Sequence, residues 1–360
     1  MNFAFRGALD GNGFRIKNIS SQGTQYAGLF GCVWGGEIRN LGVASGNIQV
    51  SSNRETGTVA AGGIAAWVGG NGNIVNCFNS ANITITATSS KGYVSAYAGG
   101  IFGTQWYNPR KGTGSISQMN SVTGCYNTGS VSVTAKATST SSTGTGAEAF
   151  AGGIAANYYG SYEQKGLSRC YNLGNISATS YSTAGAGGAG AAGIVSNTYG
   201  SGMYYCCYNR GNISAEILQS STTYGSNACA AGIADGGSVF DCYNSGAIFA
   251  KEGGKYTAAI ASGVSFTSTA ENCYNAGDIK VNGDIAFSAG VAFANTEGTI
   301  RNCYSLDIGV PCVSEDLGTG AIENAPALTD AQMRQQSSFV GFDFVNVWRM
   351  PEDGGPPVLR

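Results

Sequence analysis

The chain has 360 residues, only 11% of them charged, and a formal net charge of −2 at pH 7. This balance excludes the basic surface that supplies most nucleic-acid affinity, so no nucleic-acid partner is expected. No stretch approaches about 18 consecutive apolar residues, which excludes a membrane-spanning helix. The first residues show no signal-peptide pattern, which fits either a cytosolic protein or the mature region of a longer secreted precursor.

Residues 1–23 contain neither of the two motifs that recur in the rest of the chain. Within them, residues 3–19 are predicted to form a hairpin-like opening with its turn at Asp10-Gly11-Asn12-Gly13. An array of repeats needs an end segment that covers its first exposed core face. We therefore interpret residues 1–23 as an N-terminal cap.

From residue 24 to residue 312, two short motifs alternate. The first consists of small residues around one aliphatic residue, at Gly28-Leu29-Phe30-Gly31, Gly63-Ile64, Gly100-Ile101, Gly153-Ile154, Gly193-Ile194, Gly232-Ile233, Ala259-Ile260 and Gly290-Val291. The second is a cysteine followed by an aromatic residue and asparagine, at Cys77, Cys125, Cys170, Cys207, Cys242 and Cys273, with a degraded copy at Cys303 and a copy without cysteine starting at Leu41. Successive cysteines are 48, 45, 37, 35, 31 and 30 residues apart. Repeats of varying length with constant motifs are typical of a solenoid whose insertions are confined to loops.

Each repeat contains three extended pieces, the third being an alternating run such as Asn82-Ile83-Thr84-Ile85-Thr86. Alternation with β-branched residues indicates strands that bury one face. If each strand stacks on its counterpart one repeat later, the fold is all-β. The prediction is a single-stranded right-handed parallel β-helix with three strands per coil and about eight coils.

The cysteine motif predicts three stacked columns, because neighbouring residues of a strand face opposite ways. The cysteines should lie inside as buried free thiols, since parallel Cβ directions suit disulfides poorly. The asparagines should form a hydrogen-bonded ladder at a corner: Asn79, Asn127, Asn172, Asn209, Asn244 and Asn275. The aromatic residues should stack outside: Phe78, Tyr126, Tyr171, Tyr208, Tyr243, Tyr274 and Tyr304. Because the chain has no histidine and no CxxC motif, neither a metal site nor a cofactor is predicted.

The loops between the two motifs are longest in the middle repeats, where they are rich in aromatic residues. Aromatic residues on local insertions have no packing role common to all repeats, so we predict a binding surface there. Flat rings with a polar edge suit sugar faces or protein partners, and nearby cations add donors for acidic groups. The predicted binding residues are Trp106, Tyr107, Arg110, Lys111, Tyr158, Tyr159, Tyr162, Tyr204 and Tyr205.

Residues 313–360 lack the repeated motifs and are interpreted as a C-terminal cap. A short helix is predicted to begin near Leu328, with Thr329 or Asp330 as its N-cap. The stretch Phe339-Val340-Gly341-Phe342-Asp343-Phe344, together with Val347 and Trp348, is predicted to plug the C-terminal end of the solenoid.

Over nearly its whole length the chain resembles the bacterial GLUG-motif β-helix proteins, which carry Gly-Leu-hydrophobic-Gly and Asn-Cys-Tyr-Asn-x-Gly repeats. Gly28-Leu29-Phe30-Gly31 matches the first repeat, residues 5–13 look like the usual start, and residues 339–348 look like the usual end, with Phe342 where Trp is expected. Most copies here read Gly-Ile-Ala instead. The resemblance implies a β-helix in a large surface or secreted protein of adhesin-like or IgA-peptidase type. It transfers no catalytic residues.

Without histidine, Ser-His-Asp and Cys-His arrangements are impossible. The main hypothesis is a non-catalytic module of a bacterial cell-surface or secreted protein, part of a longer precursor, that presents a rigid face to a glycan or to a host or surface protein. The alternative is a polysaccharide lyase or glycoside hydrolase that uses a carboxylate pair drawn from Asp235, Asp241 and Glu271. The sequence leaves open the ligand and the oligomeric state.

Overall fold

The computed structural model describes residues 4–55, 57–105, 121–139, 145–160, 166–221, 226–254, 257–266, 269–293, 298–314 and 320–360. Each coil of the chain forms short strands in the same order, and each strand pairs in parallel with the equivalent strand of the next coil. The resulting parallel sheets are the faces of the molecule. We number these faces 1 to 5 in the order in which the chain meets them. The fold is a parallel β-helix, as predicted.

Faces 1 and 2 each contain ten short strands. Face 1 consists of Ala8–Asp10, Glu37–Arg39, Asn73–Val75, Ser121–Thr123, Leu167–Ser168, Met203–Tyr205, Ser238–Phe240, Thr269–Glu271, Thr299–Arg301 and Ala321–Glu323. Face 2 consists of Arg15–Ile16, Gly42–Val43, Phe78–Asn79, Tyr126–Asn127, Tyr171–Asn172, Tyr208–Asn209, Tyr243–Asn244, Tyr274–Asn275, Tyr304–Leu306 and Ala327–Leu328.

Faces 3 and 4 each contain eight strands, most of them longer. Face 3 consists of Ile19–Gly23, Gly46–Ser52, Asn82–Ser89, Val131–Ala137, Ile176–Ser182, Ile213–Gln219, Ile248–Lys251 and Ile279–Asn282. Face 4 consists of Tyr26–Ala27, Gly57–Gly62, Tyr93–Gly99, Gly146–Gly152, Ala186–Ala192, Ser226–Ala231, Thr257–Ser262 and Ala286–Ala289.

Face 5 varies most along the molecule. Its five-stranded sheet consists of Phe30–Trp34, Ala65–Gly69, Phe102–Gln105, Ala155–Gly160 and Thr198–Gly200. Single bridges continue this face through Val195, Ala234 and Ser265 to the pair formed by Ala292–Phe293 and Val313–Ser314.

A coil therefore contains up to five short strands rather than the three predicted. The cysteine motif begins at the turn from face 1 to face 2, because a residue in the left-handed region just before each cysteine, such as Asn76 with φ 52°, turns the chain there. The Gly-Ile motif is a corner between faces 4 and 5 instead of a strand. The copy predicted at Ala259-Ile260 is wrong, because these residues lie inside the face-4 strand Thr257–Ser262 and Gly263-Val264 form the corner of that coil. These sharp turns allow short strands to enclose a narrow core of small and aliphatic side chains.

The predicted inner columns are present. The seven repeated cysteines are fully buried free thiols: Cys77, Cys125, Cys170, Cys207, Cys242, Cys273 and Cys303. The six asparagines are also fully buried, and each amide donates to the next asparagine along the axis at 2.7–2.8 Å. Each amide nitrogen also donates to a carbonyl two residues later, as Asn172 does to Gly174 at 2.7 Å. The ladder therefore satisfies a polar corner that no water reaches.

The predicted outer aromatic stack is also present. From Phe78 to Tyr274, successive rings lie 4.7–5.1 Å apart and are nearly parallel. Tyr304 continues the register of face 2 beyond Tyr274. Because identical rings are held in register by the strands beneath them, they stabilise the sheet by packing on each other.

Both ends differ from the prediction. The first residues do not form a hairpin, because Ala8–Asp10 and Arg15–Ile16 each pair in parallel with the next coil and so form a coil of their own. At the other end, Ala321–Glu323 and Ala327–Leu328 add a last partial coil. The array is thus longer at each end than the eight predicted repeats.

The C-terminal segment, residues 329–360, contains a capped helix, Asp330–Met333, with Thr329 as N-cap. A 3-10 turn, Gln336–Ser338, and an antiparallel pair, Trp348–Arg349 with Val358–Leu359, follow. Its aromatic residues do not plug the end of the solenoid. Phe339, Phe342 and Trp348 lie sideways on the stack, over Tyr243, Tyr274 and Tyr304. No helix in the described part of the chain is long and apolar enough to cross a membrane.

Candidate binding site

The outer surface folds inward where face 4 meets face 5. Near the N-terminal end, Tyr26 of face 4 contacts Trp67 of face 5, with ring centroids 5.5 Å apart. Near the other end, Ile260 and Phe287 of face 4 form an apolar cluster with Phe293 of face 5. Partly exposed side chains of the two faces touch each other across the turn. We call this region the concave corner.

Two pairs of aromatic rings occupy the middle of the concave corner. On face 4, Tyr97 stacks on Phe150 with centroids 5.3 Å apart, and on face 5, Tyr159 stacks on Tyr199 at 4.8 Å. Burial raises the pKa of the Tyr97 phenol, and the nearby Glu148 and Tyr199 act in the same direction. These electrostatic interactions show that the two pairs lie close to each other.

The stack on face 5 ends at Tyr199. In the next coil the chain turns at Gly236 and Gly237, which have φ 95° and 87°, and it reaches face 1 without forming a face-5 strand. Tyr199 is 45% exposed. One face of its ring packs on Tyr159.

Beside these rings is a hollow of about 220 Å³. Its floor is the strand Ala186–Ala192, in which Gly188 pairs with Glu148 and Gly190 pairs with Phe150 of the previous coil. The hollow exists because glycines stand where the neighbouring coil has large side chains. A Cβ atom at Gly190 would come within 2.7 Å of the Phe150 ring, which lies over this glycine, whereas a Cβ atom at Gly188 would meet only Glu148 Cγ, at 3.7 Å.

Two carboxyl groups line the hollow, Glu148 on face 4 and Asp235 just after face 5. The Ser95 hydroxyl donates a hydrogen bond to Glu148 Oε2 at 3.2 Å. Among the described residues, no cation pairs with Asp235, and burial raises the pKa of its carboxyl from 3.8 to about 6. The hollow therefore combines aromatic walls with acceptors for hydroxyl or ammonium groups.

The structure places the binding residues predicted from the sequence in different parts of the molecule. Tyr159 lies in the concave corner. Tyr158 and Tyr204 are buried in the core, where Tyr204 stands in a row between Leu167 and Val239. Tyr205 is on the outside of face 1, stacked on Phe240 at 5.0 Å. The buried pair is therefore not accessible to a partner.

The other predicted binding residues lie outside the described part of the chain: Trp106, Tyr107, Arg110, Lys111 and Tyr162. In the sequence they follow the face-5 strands Phe102–Gln105 and Ala155–Gly160, which border the concave corner. Their role stays a prediction.

The alternative catalytic residues are also divided. Asp241 accepts a hydrogen bond from the Trp348 indole at 3.2 Å, and its backbone N–H donates to the Glu271 carbonyl oxygen at 3.0 Å. The Glu271 carboxylate lies 3.7 Å from Arg301. The structure thus places Asp241 and Glu271 in adjacent coils, whereas Asp235 lines the hollow together with Glu148.

Sequence reasoning missed Tyr97, Glu148, Phe150 and Tyr199. A signal was present, because Tyr97 and Phe150 both stand four residues before the aliphatic residue of the Gly-Ile motif. The next repeat has Gly190 at that place. Aligning the residues before this motif, rather than those after the cysteine, would have revealed both the aromatic row and its interruption.

The fold defines the chain as a parallel β-helix protein. No protein-family model matches the chain, and no curated protein matches its sequence. Among solved structures, a putative immunoglobulin A1 protease from Bacteroides ovatus is similar over 98% of this chain and 76% of that chain, with 18% sequence identity and a TM-score of 0.36. A likeness at this level does not assign a function.

Proposed function

We propose that this β-helix is a non-catalytic module of a bacterial surface or secreted protein, and that it binds a glycan or protein partner in the concave corner. One observation carries the proposal: the exposed Tyr199 ring is stacked on Tyr159 in the same concave corner as a hollow lined by Glu148 and Asp235. The resemblance to the GLUG-motif proteins supports the surface setting.

The concave corner suits a binding role because its aromatic groups are rigid. Tyr97, Phe150, Tyr159 and Tyr199 project from strands that are hydrogen-bonded to neighbouring coils on at least one side. Little side-chain freedom remains to be lost when a ligand binds. A sugar ring or an apolar side chain could pack on the exposed Tyr199 ring, while Glu148 and Asp235 accept hydrogen bonds from hydroxyl or ammonium groups.

The proposal is tested with Tyr199→Ala, assayed on a glycan array and then by titration with the strongest glycan found. Tyr181, an aromatic residue on the outside of face 3, provides the matched control Tyr181→Ala. We expect Tyr199→Ala to weaken binding about tenfold or more, and to leave the melting temperature near that of Tyr181→Ala. The site is wrong if both variants bind like the parent, or if Tyr199→Ala lowers the melting temperature as much as the core change Ile154→Ala.

A second candidate function rests on the two carboxyl groups of the hollow. An acid with its pKa raised to about 6, as burial does to Asp235, has the property required of a proton donor to a glycosidic oxygen, and Glu148 would be the second carboxyl group. Release of reducing sugars from polysaccharides by the parent protein, lost in Asp235→Asn, would favour this enzyme over the binding module. A binding module releases none.

A further inference from the structure

A second site is indicated at the turn between faces 1 and 2. One residue of this turn has left-handed φ, between 49° and 65°, in nine successive coils: Asn40, Asn76, Gly124, Arg169, Cys206, Asp241, Asn272, Asn302 and Asn324. Asparagine and glycine adopt this conformation more readily than other residues. The asparagines also bond to one another along the axis, as Asn324 does to Asn302 at 3.0 Å. Local stability therefore favours asparagine or glycine at these turns.

Three middle coils depart from this rule. Asp241 is explained by its hydrogen bond to the Trp348 indole, which holds the C-terminal segment. Arg169 and Cys206 lack the side-chain amide that bridges to the next coil. Residues that adopt a locally unfavourable backbone conformation, and that gain no stability in return, are expected at functional sites. These two stand in adjacent coils and line the same cleft.

This cleft, of about 540 Å³, lies where the C-terminal segment stops covering the aromatic stack. Tyr243, Tyr274 and Tyr304 are buried beneath that segment, whereas Tyr171 and Tyr208 remain partly exposed. The two exposed tyrosines form one wall of the cleft, and Asn346 and Arg360 of the C-terminal segment form the other. The volume falls within the range of about 300–1,000 Å³ that is usual for small-ligand sites.

The cleft carries positive charge. Arg169 and Arg360 both line it, and no aspartate or glutamate among the described residues does. The Arg360 guanidinium is held by the Trp348 and Phe344 carbonyl oxygens at 3.0 and 2.9 Å, and the Asp343 carboxylate, which does not line the cleft, interacts with it electrostatically. Arg169 forms no salt bridge with any described carboxylate. Two guanidinium groups facing one cavity are suited to a carboxylate ligand.

We propose that this cleft binds an acidic saccharide through a carboxylate on its sugar ring. The Tyr171 and Tyr208 rings are stacked 4.7 Å apart, so they present edges and hydroxyl groups that can hydrogen-bond to sugar hydroxyls. A peptide strand is less suited, because the backbone groups here are already bonded between coils, as Tyr208 N–H is to the Cys170 oxygen at 3.1 Å. The site is separate from the concave corner and does not depend on the function proposed for it.

The test uses titration calorimetry with oligomers of β-1,4-linked glucuronic acid, matched β-1,4-linked glucose oligomers and a glutamate-rich peptide. The key variant is Arg169→Asn, which restores the residue that the other coils favour at this turn and should therefore not lower stability. Lys136→Gln is the control, since Lys136 is an exposed cation on face 3, outside the cleft, with its ammonium 5.0 Å from the centre of the Tyr181 ring.

We expect the parent protein to bind the glucuronic acid oligomer, the glucose oligomer to bind at least about tenfold more weakly, and Arg169→Asn to lose about tenfold or more in affinity. Added salt should weaken binding, while Lys136→Gln should bind like the parent. The proposal is overturned if the acidic oligomer does not bind, if Arg169→Asn binds it as well as the parent, or if the acidic peptide binds more tightly.

Discussion

The side-chain amide of Asn127 donates a hydrogen bond to Asn172 Oδ1 at 2.8 Å, although the two residues are 45 positions apart in the chain. The same bond recurs between the other neighbouring asparagines of the ladder. Each asparagine therefore connects its own corner to the next coil. The ladder links secondary structure that the sequence separates by long loops.

Asn172→Ala should lower the free energy of unfolding by about 2–4 kcal/mol, because the buried N–H and C=O of Gly174 both lose their partner in the amide. Urea unfolding at neutral pH measures the change. The control is Asn175→Ala at the same corner, where the exposed side chain accepts one hydrogen bond, from Asn212 N–H at 3.1 Å, and the cost should be about 1 kcal/mol or less. Equal losses in both variants would show that the ladder adds no stability of its own.

Trp348→Ala should release the C-terminal segment from the aromatic stack. The indole is fully buried, lies 6.0 and 5.9 Å from the Tyr243 and Tyr274 rings, and donates to Asp241. Losing a buried tryptophan costs about 3–5 kcal/mol, and in a repeat protein the loss should appear locally. Limited proteolysis should then cut within residues 334–360 much faster than in the parent. Val345→Ala, at a side chain that is 79% exposed, should not change the pattern. If the two variants are cut alike, Trp348 does not hold the segment.

The buried thiols should be unreactive in the native protein. Eight cysteines are buried: Cys77, Cys125, Cys170, Cys207, Cys242, Cys273, Cys303 and Cys312. Burial raises the pKa of the Cys77 thiol to about 11, so little thiolate forms at neutral pH. Alkylation followed by mass spectrometry should modify the partly exposed Cys32 and Cys206 first, then Cys229, because burial raises the pKa of its thiol well above the usual value, and the buried eight only after denaturation. Modification of Cys125 or Cys170 at the rate of Cys206 would contradict the buried column.

Asp235 should make stability depend on pH. Burial raises the pKa of its folded-state carboxyl to about 6, above the unfolded value of 3.8, so the native state holds a proton that the unfolded state has lost in this window. The protonated Asp235 carboxyl makes its full contribution to stability below pH 3.8, and this contribution is lost as the pH rises through 6. Relative to the parent, Asp235→Asn should gain up to about 3 kcal/mol as pH rises from 4 to 7.

Urea unfolding of both proteins at several pH values measures this gain. Asp278→Asn, at an exposed aspartate, is the control and should show no comparable trend. A difference between parent and Asp235→Asn that is the same at pH 4 and pH 7 would mean that Asp235 does not titrate in a buried hollow.

The columns could be predicted from the sequence because each depends on one residue type at one place in the repeat. Asn172 and Tyr171 are recognisable from their copies alone, without knowledge of the coil's cross-section. The side to which Tyr158 and Tyr204 point could not be predicted, since their strands are short and follow loops of variable length. Tyr204 replaces an aliphatic residue of face 1, and only its register with Leu167 shows this.

The concave corner could not be predicted because it depends on the angle between two faces, which no local pattern records. The position of Trp348 was missed for a related reason. A cluster of aromatic residues after the last repeat indicates that this segment covers an apolar surface. It does not indicate whether that surface is the end of the core or the side of the aromatic stack. The C-terminal aromatic residues pack on Tyr243, Tyr274 and Tyr304, which come from three successive coils.

The asparagine ladder also has a direction. In each bond the donor belongs to the earlier coil and the acceptor to the later one, so the side-chain dipoles add along the axis and polarise one another. The two ends of the column are therefore chemically different: Asn275 presents an amide hydrogen toward the following coil, and Asn79 presents an oxygen toward the preceding one. A coil duplicated within the chain would join this series in the correct sense. Two such columns joined head to head would instead bring oxygen against oxygen.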